Sequence, residues 1–401
     1  MNIPKLRFPE FSGEWEEKKL DSLSLINPKP GDLPEVFSYI DLESVKNGVL
    51  LQEKIIKKEE APSRAQRLLE EKDILFQTVR PYQRNNYFFN SKSPTVASTG
   101  YAQFRVNKNN YPSFLYQYLY TNNFVKNVLD RCSGTSFPAI STNDLLEICL
   151  HIPTLAEQQK IADFLSNVDS IITTETKILN TLQKKKKALM QKLFTRQLRF
   201  KSDDGKDFPT WKEKKLGDVC NVLSGKRVPK GNKLTSVNTG LKYITVSDMG
   251  DKFVSNKDIK YITQEIETKI KKYKVITGDI IISVAGTLGK VNIITEEFNN
   301  ANLTENCDKL TEFKGCITEY LFYFLQSEKF LDEINRIKTS SAQPKLALDR
   351  LRIFVIPIPI IKEQQKIADS LSSMDSLIQT QQKVVTTWQQ RKKALLQQMF
   401  V

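Results

Sequence analysis

A basic, glycine-punctuated loop, Ser224-Gly225-Lys226-Arg227-Val228-Pro229-Lys230-Gly231-Asn232-Lys233, is the first candidate for chemistry in this sequence. A second, Ala285-Gly286-Thr287-Leu288-Gly289-Lys290, follows an apolar run and ends on a cation. Its counterpart, Arg80-Pro81-Tyr82-Gln83-Arg84-Asn85-Asn86-Tyr87, lacks glycine but carries Arg84 where the other has Lys290. Ser133-Gly134-Thr135-Ser136-Phe137-Pro138 and Ser340-Ser341-Ala342-Gln343-Pro344-Lys345 occupy matching places before two long helical stretches. Small hydroxyls and loop N–H groups suit phosphate oxygens, while Arg, Lys, Gln and Asn suit base edges in a groove. The candidate DNA contacts are therefore Arg80, Gln83, Arg84, Asn85, Thr135, Ser136, Lys226, Arg227, Lys230, Thr287, Lys290, Ser341, Gln343 and Lys345. An ordinary strand–turn–strand explains Gly286 to Lys290 equally well. It is not a P-loop, because the Gly-x-x-x-x-Gly-Lys-Ser/Thr spacing is absent.

Other chemistries find few residues to carry them. One histidine, His151, excludes a two-His metal site or a histidine relay. The five cysteines (Cys132, Cys149, Cys220, Cys307, Cys316) show no C-x-x-C pair, so structural zinc is not expected. Scattered and odd in number, they fit reduced thiols in a cytoplasm. Asp203-Asp204 and Glu296-Glu297 fall in polar loops, and no nucleophile–base pair stands out. No catalytic or metal-binding residue is assigned.

The 401 residues carry a net charge of +14, which calls for a polyanionic partner, either nucleic acid or an anionic membrane surface. The N-terminus lacks the apolar core of a signal peptide, and the apolar run 353–361 is too short to span a bilayer. A soluble, cytoplasmic protein without membrane contact is expected.

An internal repeat organises the chain. Residues 152–194 align without a gap with 358–400, an offset of 206, and 24 of 43 positions are identical. The same offset matches Leu119, Phe124, Pro138, Leu145 and Asp73 with Leu325, Phe330, Pro344, Leu351 and Asp279. Farther upstream the copies diverge. They meet again at Trp15-Glu16-Glu17-Lys18-Lys19-Leu20 and Trp211-Lys212-Glu213-Lys214-Lys215-Leu216, offset 196. The Leu198-Arg199-Phe200 that follows the first helix recurs at the N-terminus as Leu6-Arg7-Phe8. A circularly arranged, pseudo-two-fold molecule is predicted, its N-terminal segment completing the last helix.

Apolar residues recur in alternating steps of four and three: Ile161, Leu165, Val168, Ile172, Leu179, Leu182, Leu189, Leu193, and Ile367, Leu371, Met374, Ile378, Val385, Trp388, Leu395, Met399. That is a heptad seam sustained over each helix, which predicts a coiled coil. Glu175 and Gln381, then Lys186 and Lys392, interrupt the seam at equivalent places. Either they mark relaxed packing near solvent, or they fix register or face a partner. Phe164, Ile171 and Ile178 widen the first stripe beyond a two-helix seam, and with Leu377 and Val384 on the second helix they are the candidate docking residues. Lys184 to Lys187 and Arg391 to Lys393 suit helix C-termini as a solvated face, or as phosphate contacts.

The preceding domains mix short strands (Tyr39 to Leu42, Asp73 to Phe76, Tyr243 to Val246, Asp279 to Val284) with helices read over Tyr111 to Val128 and Ile317 to Ile334. The class is α+β: two similar globular domains separated by two long antiparallel coiled-coil helices. The boundaries read as an N-terminal segment 1–20, first domain 21–151, central helix 152–200, connector 201–216, second domain 217–357 and second helix 358–401.

This pattern resembles the specificity (S) subunit of Type I restriction–modification systems over essentially the whole chain. The resemblance rests on the duplicated Pro-x-x-x-Glu-Gln-Gln-Lys-Ile-Ala-Asp-x-Leu segments at 153–165 and 359–371, the Ser-Gly-Thr-Ser-Phe-Pro loop and the Trp-Lys-Glu-Lys-Lys-Leu opener. It implies two target recognition domains, each binding one half of a split, asymmetric DNA site. It implies helices that space the half-sites and dock two modification subunits, which use S-adenosylmethionine to methylate adenine. It also implies two restriction subunits that bring ATP- and Mg2+-dependent translocation and cleavage. The S subunit itself would hold no cofactor and catalyse nothing. The first domain departs from the Gly-Thr-Leu-Gly-Lys pattern. Two other classes remain: an enzyme fused to its own reader, which would need a nucleotide- or metal-binding signature, and a coiled-coil scaffold with basic domains lacking sequence preference.

Overall fold

The computed structural model describes residues 2–29, 31–339 and 345–401. The chain divides into two compact units: residues 1–178 with 381–401, and residues 179–380.

In the first unit, Glu16–Lys19 pairs antiparallel with Cys149–Ile152. One four-stranded sheet runs Lys54–Lys57, Val36–Ile40, Thr95–Ser98, Ala65–Leu68; the other runs Ser24–Ile26, Tyr101–Val106, Ile74–Gln77, Tyr87–Phe88. The second unit repeats the plan. Lys212–Lys215 pairs with Val355–Ile358. Its four-stranded sheet runs Asn221–Ser224, Cys307–Thr311, Ile280–Ser283, Val291–Ile293, and a three-stranded one runs Lys260–Tyr261, Lys242–Ile244, Asn302–Leu303. The apolar strands Ile74–Gln77 and Ile280–Ser283 are wholly buried, as inner strands covered on both faces must be.

Local chemistry trims the elements read from sequence. The strand at Tyr243 stops at Ile244 because Asp248 accepts from Thr245 N at 2.7 Å and starts a short 3₁₀ turn, Val246–Asp248. The helix read from Tyr111 to Val128 is two, Pro112–Tyr118 and Asn122–Leu129. Thr121 ends the first and caps the second, its hydroxyl accepting from Phe124 N at 3.3 Å. The stretch from Ile317 likewise divides into Thr318–Phe324 and Glu328–Thr339.

The long helices run Leu155–Phe194 and Ile361–Gln398. Their ends sit inside the unit cores. Ile161, Leu165, Leu396 and Met399 join the first, and Met190, Leu193, Ile367 and Leu371 the second. In the first unit Lys392 meets Asp169 at 2.6 Å and Gln381 meets Glu175 Oε2 at 2.5 Å, so the helix segments run antiparallel. In the second, Lys186 meets Asp375 at 2.5 Å. The polar interruptions of the seam are thus paired across it, which favours the register-fixing reading.

Within the first unit the N-terminal segment meets the end of the last helix. Leu6 N donates to Gln398 O at 2.8 Å in the first, as Leu198 N does to Lys192 O at 3.0 Å in the second. Two separate stretches of chain build in one unit what a continuous stretch builds in the other. The Glu-Gln-Gln motifs lock the joints. Gln158 bonds Pro153 O at 3.0 Å and accepts from Tyr111 N at 2.9 Å; Gln364 bonds Pro359 O and accepts from Ile317 N, both at 2.8 Å.

Candidate nucleic-acid interface

In the first unit the strand Ile74–Gln77 runs out into the Arg80 loop. Thr78 ties it down, with N and Oγ1 both donating to Gly100 O at 3.1 and 2.8 Å. Val79 then bridges Ala139, and Arg80 N donates to Pro138 O at 2.7 Å. This brings Arg80 to the loop that carries Thr135 and Ser136, both exposed. Arg80 adopts φ +54, a left-handed conformation uncommon for a side-chain-bearing residue, with Pro81 barring the right-handed helical one. Its guanidinium carbon stands 4.2 Å from the centre of the Phe137 ring, itself 62% exposed. The buried Nε finds no partner among the described residues.

The second unit builds the same junction. Ala285 bridges Lys345, and Leu346 N donates to Val284 O at 3.0 Å, as Ile140 N does to Thr78 O at 3.1 Å in the first unit. Two more segments converge here. Gly225 N donates to Cys307 O at 3.0 Å, Lys226 N to Leu303 O at 2.8 Å, and Val284 N to Asn306 O at 2.8 Å. Lys226, Arg227, Thr287 and Lys345 therefore share one loop cluster, all exposed. Gly225 is required by close approach: a Cβ there would lie 2.0 Å from Thr304 O.

Other candidates are otherwise occupied. Arg84 donates to Tyr120 O and Asn122 Oδ1, both at 2.9 Å, and burial lowers its pKa from the ordinary value. At the matching position Lys290 Nζ donates to Met249 O. Both cations tie loops to main chain inside their unit. Asn85 Oδ1 accepts from Asn47 N at 3.1 Å, and Gln83 Oε1 from Gln77 at 2.9 Å, although Gln83 is exposed. Lys230 lies exposed farther along its loop. Ser341 and Gln343 lie outside the described residues.

Sequence reasoning missed Glu305, which receives Arg227 Nε on one oxygen and Thr304 Oγ1, at 3.0 Å, on the other. Burial works to raise the Glu305 pKa, but these hydrogen bonds outweigh it and hold the carboxyl below its usual value. Beneath the cluster Asp308 is buried, with Oδ2 unpartnered among the described residues; burial pushes its carboxyl up to about 6 against the charges of Lys345 and Arg352.

Among the docking candidates, Phe164 and Ile171 line a groove of about 430 Å³ in the first unit with Val168, Trp388 and Leu395. Phe8 packs edge-on against Phe164 at 5.8 Å. Ile178 and Leu377 are exposed and Val384 is half-buried. Among the described residues no cluster of His, Cys, Asp or Glu could hold a metal, and no helix is long and apolar enough to cross a membrane.

Comparison with known proteins agrees with this construction. The MjaVIII specificity subunit of a Type I restriction enzyme from Methanocaldococcus jannaschii is 26% identical over 273 residues, 66% of this chain and 64% of that protein. The chain thus spans a little under two thirds of that relative. A chain of a solved type I R-M system superposes with a TM-score of 0.59 at 21% identity, covering 96% of this chain and 97% of the other. The S subunit of such a system from M. genitalium gives 0.57 at 17% identity, covering 100% and 99%. Those two likenesses concern the fold. The sequence model of the Type I restriction modification DNA specificity domain matches twice, over residues 13–184 and 209–387, once for each copy of the repeat. The chain belongs to that family.

Proposed function

We propose that this chain is the DNA sequence-recognition subunit of a Type I restriction–modification complex. Its recognition domains, 21–151 and 217–357, each bind one half of a bipartite, asymmetric site in double-stranded DNA. The observation that carries this reading is the junction repeated in both units, Val79 with Ala139 and Ala285 with Lys345, which gathers half-buried Arg80 with exposed Thr135 and Ser136 in the first unit and exposed Lys226, Arg227, Thr287 and Lys345 in the second. Lys and Arg there supply the salt-dependent part of binding, and Arg80, Thr135, Lys226, Arg227 and Thr287 offer donors to bases and phosphates. Ser341 and Gln343 belong to the same assignment by sequence position.

The chain catalyses nothing. Two modification subunits dock on the long helices through Phe164, Ile171, Ile178, Leu377 and Val384, and they bind S-adenosylmethionine and methylate adenine. Two restriction subunits supply the ATP- and Mg2+-dependent steps, in the cytoplasm. The test is selection from a randomised duplex library by the purified chain, alone and with the modification subunit. Enrichment of two short motifs at fixed separation is expected. Binding without any sequence enrichment would favour a basic scaffold and sink this reading.

A further inference from the structure

Arg227 stands out among the loop cations for how its side chain is held. Its side chain is 78% exposed, yet Nε is fixed on Glu305, whose side chain is 24% exposed. Thr304 Oγ1 holds the other carboxylate oxygen at 3.0 Å. The main chains beneath are locked together by Lys226 N on Leu303 O, and by a close approach at Gly225 that leaves no room for a Cβ. Neither terminal nitrogen of Arg227 has a partner among the described residues. An arginine anchored at Nε presents its two Nη groups as an outward planar fork. The base edge that matches such a fork is guanine, whose O6 and N7 both accept in the major groove.

We propose that Arg227 reads a guanine in the half-site of the second unit, and that Glu305 is the positioning residue that aims it. This rests on the DNA-recognition reading and deepens it to one base and two residues. Glu305 has a cost that identifies it. A carboxylate facing a polyanion weakens binding to every sequence, so its presence at this surface gains selectivity at the expense of affinity. A phosphate would also accept the fork but carries no sequence information.

The experiment is selection of the full chain against a randomised duplex library, with Kd measured for the selected duplex and its single-base variants. The unaltered chain should enrich an invariant guanine in one half-site. Arg227→Ala should erase preference at that position alone and weaken binding to the guanine duplex roughly 5- to 100-fold. Glu305→Gln should reduce discrimination at the same position while tightening binding to random-sequence DNA, with Glu305→Asp restoring part of the selectivity. A thermal midpoint close to that of the unaltered chain shows that each variant is folded. If Arg227→Ala weakens all sequences equally and lowers the salt slope by about one, the contact is to phosphate and the proposal is overturned. If Glu305→Gln weakens random-sequence binding, Glu305 is not a repulsive aiming group and its role falls. If the unaltered chain enriches no sequence, the DNA-recognition reading fails first and this assignment with it.

Discussion

The Arg7 guanidinium holds both carboxylate oxygens of Glu157, at 2.8 and 2.7 Å, across 150 residues of chain. Trp15 Nε1 adds a third donor at 3.3 Å. Arg199, Trp211 and Glu363 repeat the arrangement in the second unit, with Arg199 donating at 3.0 and 2.8 Å and Trp211 at 2.9 Å. Glu157 is 1% and Glu363 0% exposed. An acid in the first turn of a helix suits the helix dipole, but burial this complete demands a partner, and the Leu-Arg-Phe segment brings it.

Breaking this clamp should be expensive. Arg7→Ala leaves a buried carboxylate without its charge partner, which costs about 3–5 kcal/mol. Denaturant unfolding of the full chain should show the loss. Glu157→Gln, which removes the stranded charge as well as its attraction for Arg7, should cost less. A loss below about 1 kcal/mol for Arg7→Ala would mean that the N-terminal segment is held mainly by its apolar packing, the Leu6 N bond to Gln398 O and Trp15.

Asp308 should make stability depend on pH. Burial raises its carboxyl to about 6 in the folded chain, above the ordinary value of 3.8. Between those values the folded state keeps a proton that the unfolded state has lost, so stability falls as pH rises from about 4 to about 6. Asp308→Asn, a neutral isostere, should remove that slope and stabilise the chain at pH 7, by at most about 3 kcal/mol for a shift of this size. Unfolding midpoints at pH 5 and pH 7 for both proteins decide it. An unchanged slope in the variant would show that the charges of Lys345 and Arg352 already compensate the buried carboxylate.

The cross-helix pair Lys186–Asp375, 17% and 22% exposed, should be coupled. A double-mutant cycle with alanine should return an interaction of about 1 kcal/mol, more than an exposed pair gives. Exchanging the two charges should recover part of it. Zero coupling would return Lys186 to the solvent-relaxed reading.

The repeat, the long helices and their polar interruptions were legible because spacing and identity are properties of the sequence itself. What Lys186 and Lys392 pair with was not, since antiparallel register decides which residue of the facing segment arrives at 2.5 or 2.6 Å. The loops divide in the same way. Residue type nominated Arg80, Lys226, Arg227, Arg84 and Lys290 alike; that the fold turns Arg84 onto Tyr120 O and Lys290 onto Met249 O was not legible from type. Glu305 was invisible because its pairing with Arg227 spans 78 residues and depends on the close approach at Gly225.

Charge removal at the loop junctions should read out through salt. Arg80→Ala, Lys226→Ala and Lys345→Ala together remove three exposed or half-buried cations. The slope of log K against log salt should shrink by up to about 0.9 for each phosphate that is no longer neutralised. Arg84→Ala is the contrast. Its guanidinium serves Tyr120 O and Asn122, so that variant should lower the melting temperature more than it changes the salt slope. The reverse pattern would place the DNA surface on the other side of the loop.

The helix groove supplies a test of assembly that leaves the DNA surface alone. Ile171 lines the groove in the first unit, and Leu377, 53% exposed, stands at the matching position of the repeat in the second. Ile171 is 36% and Leu377 53% exposed, so a partner that covered them would bury the remaining third to half of each side chain, worth about 0.5–1.5 kcal/mol apiece. Ile171→Ser and Leu377→Ser should therefore each weaken binding of the modification subunit by roughly two- to tenfold, and the double variant by close to the product. Melting temperature and DNA affinity of the chain alone should hardly move. If the double variant binds the modification subunit as tightly as the unaltered chain, the exposed stripe is an incidental feature of the helices and the partner docks elsewhere.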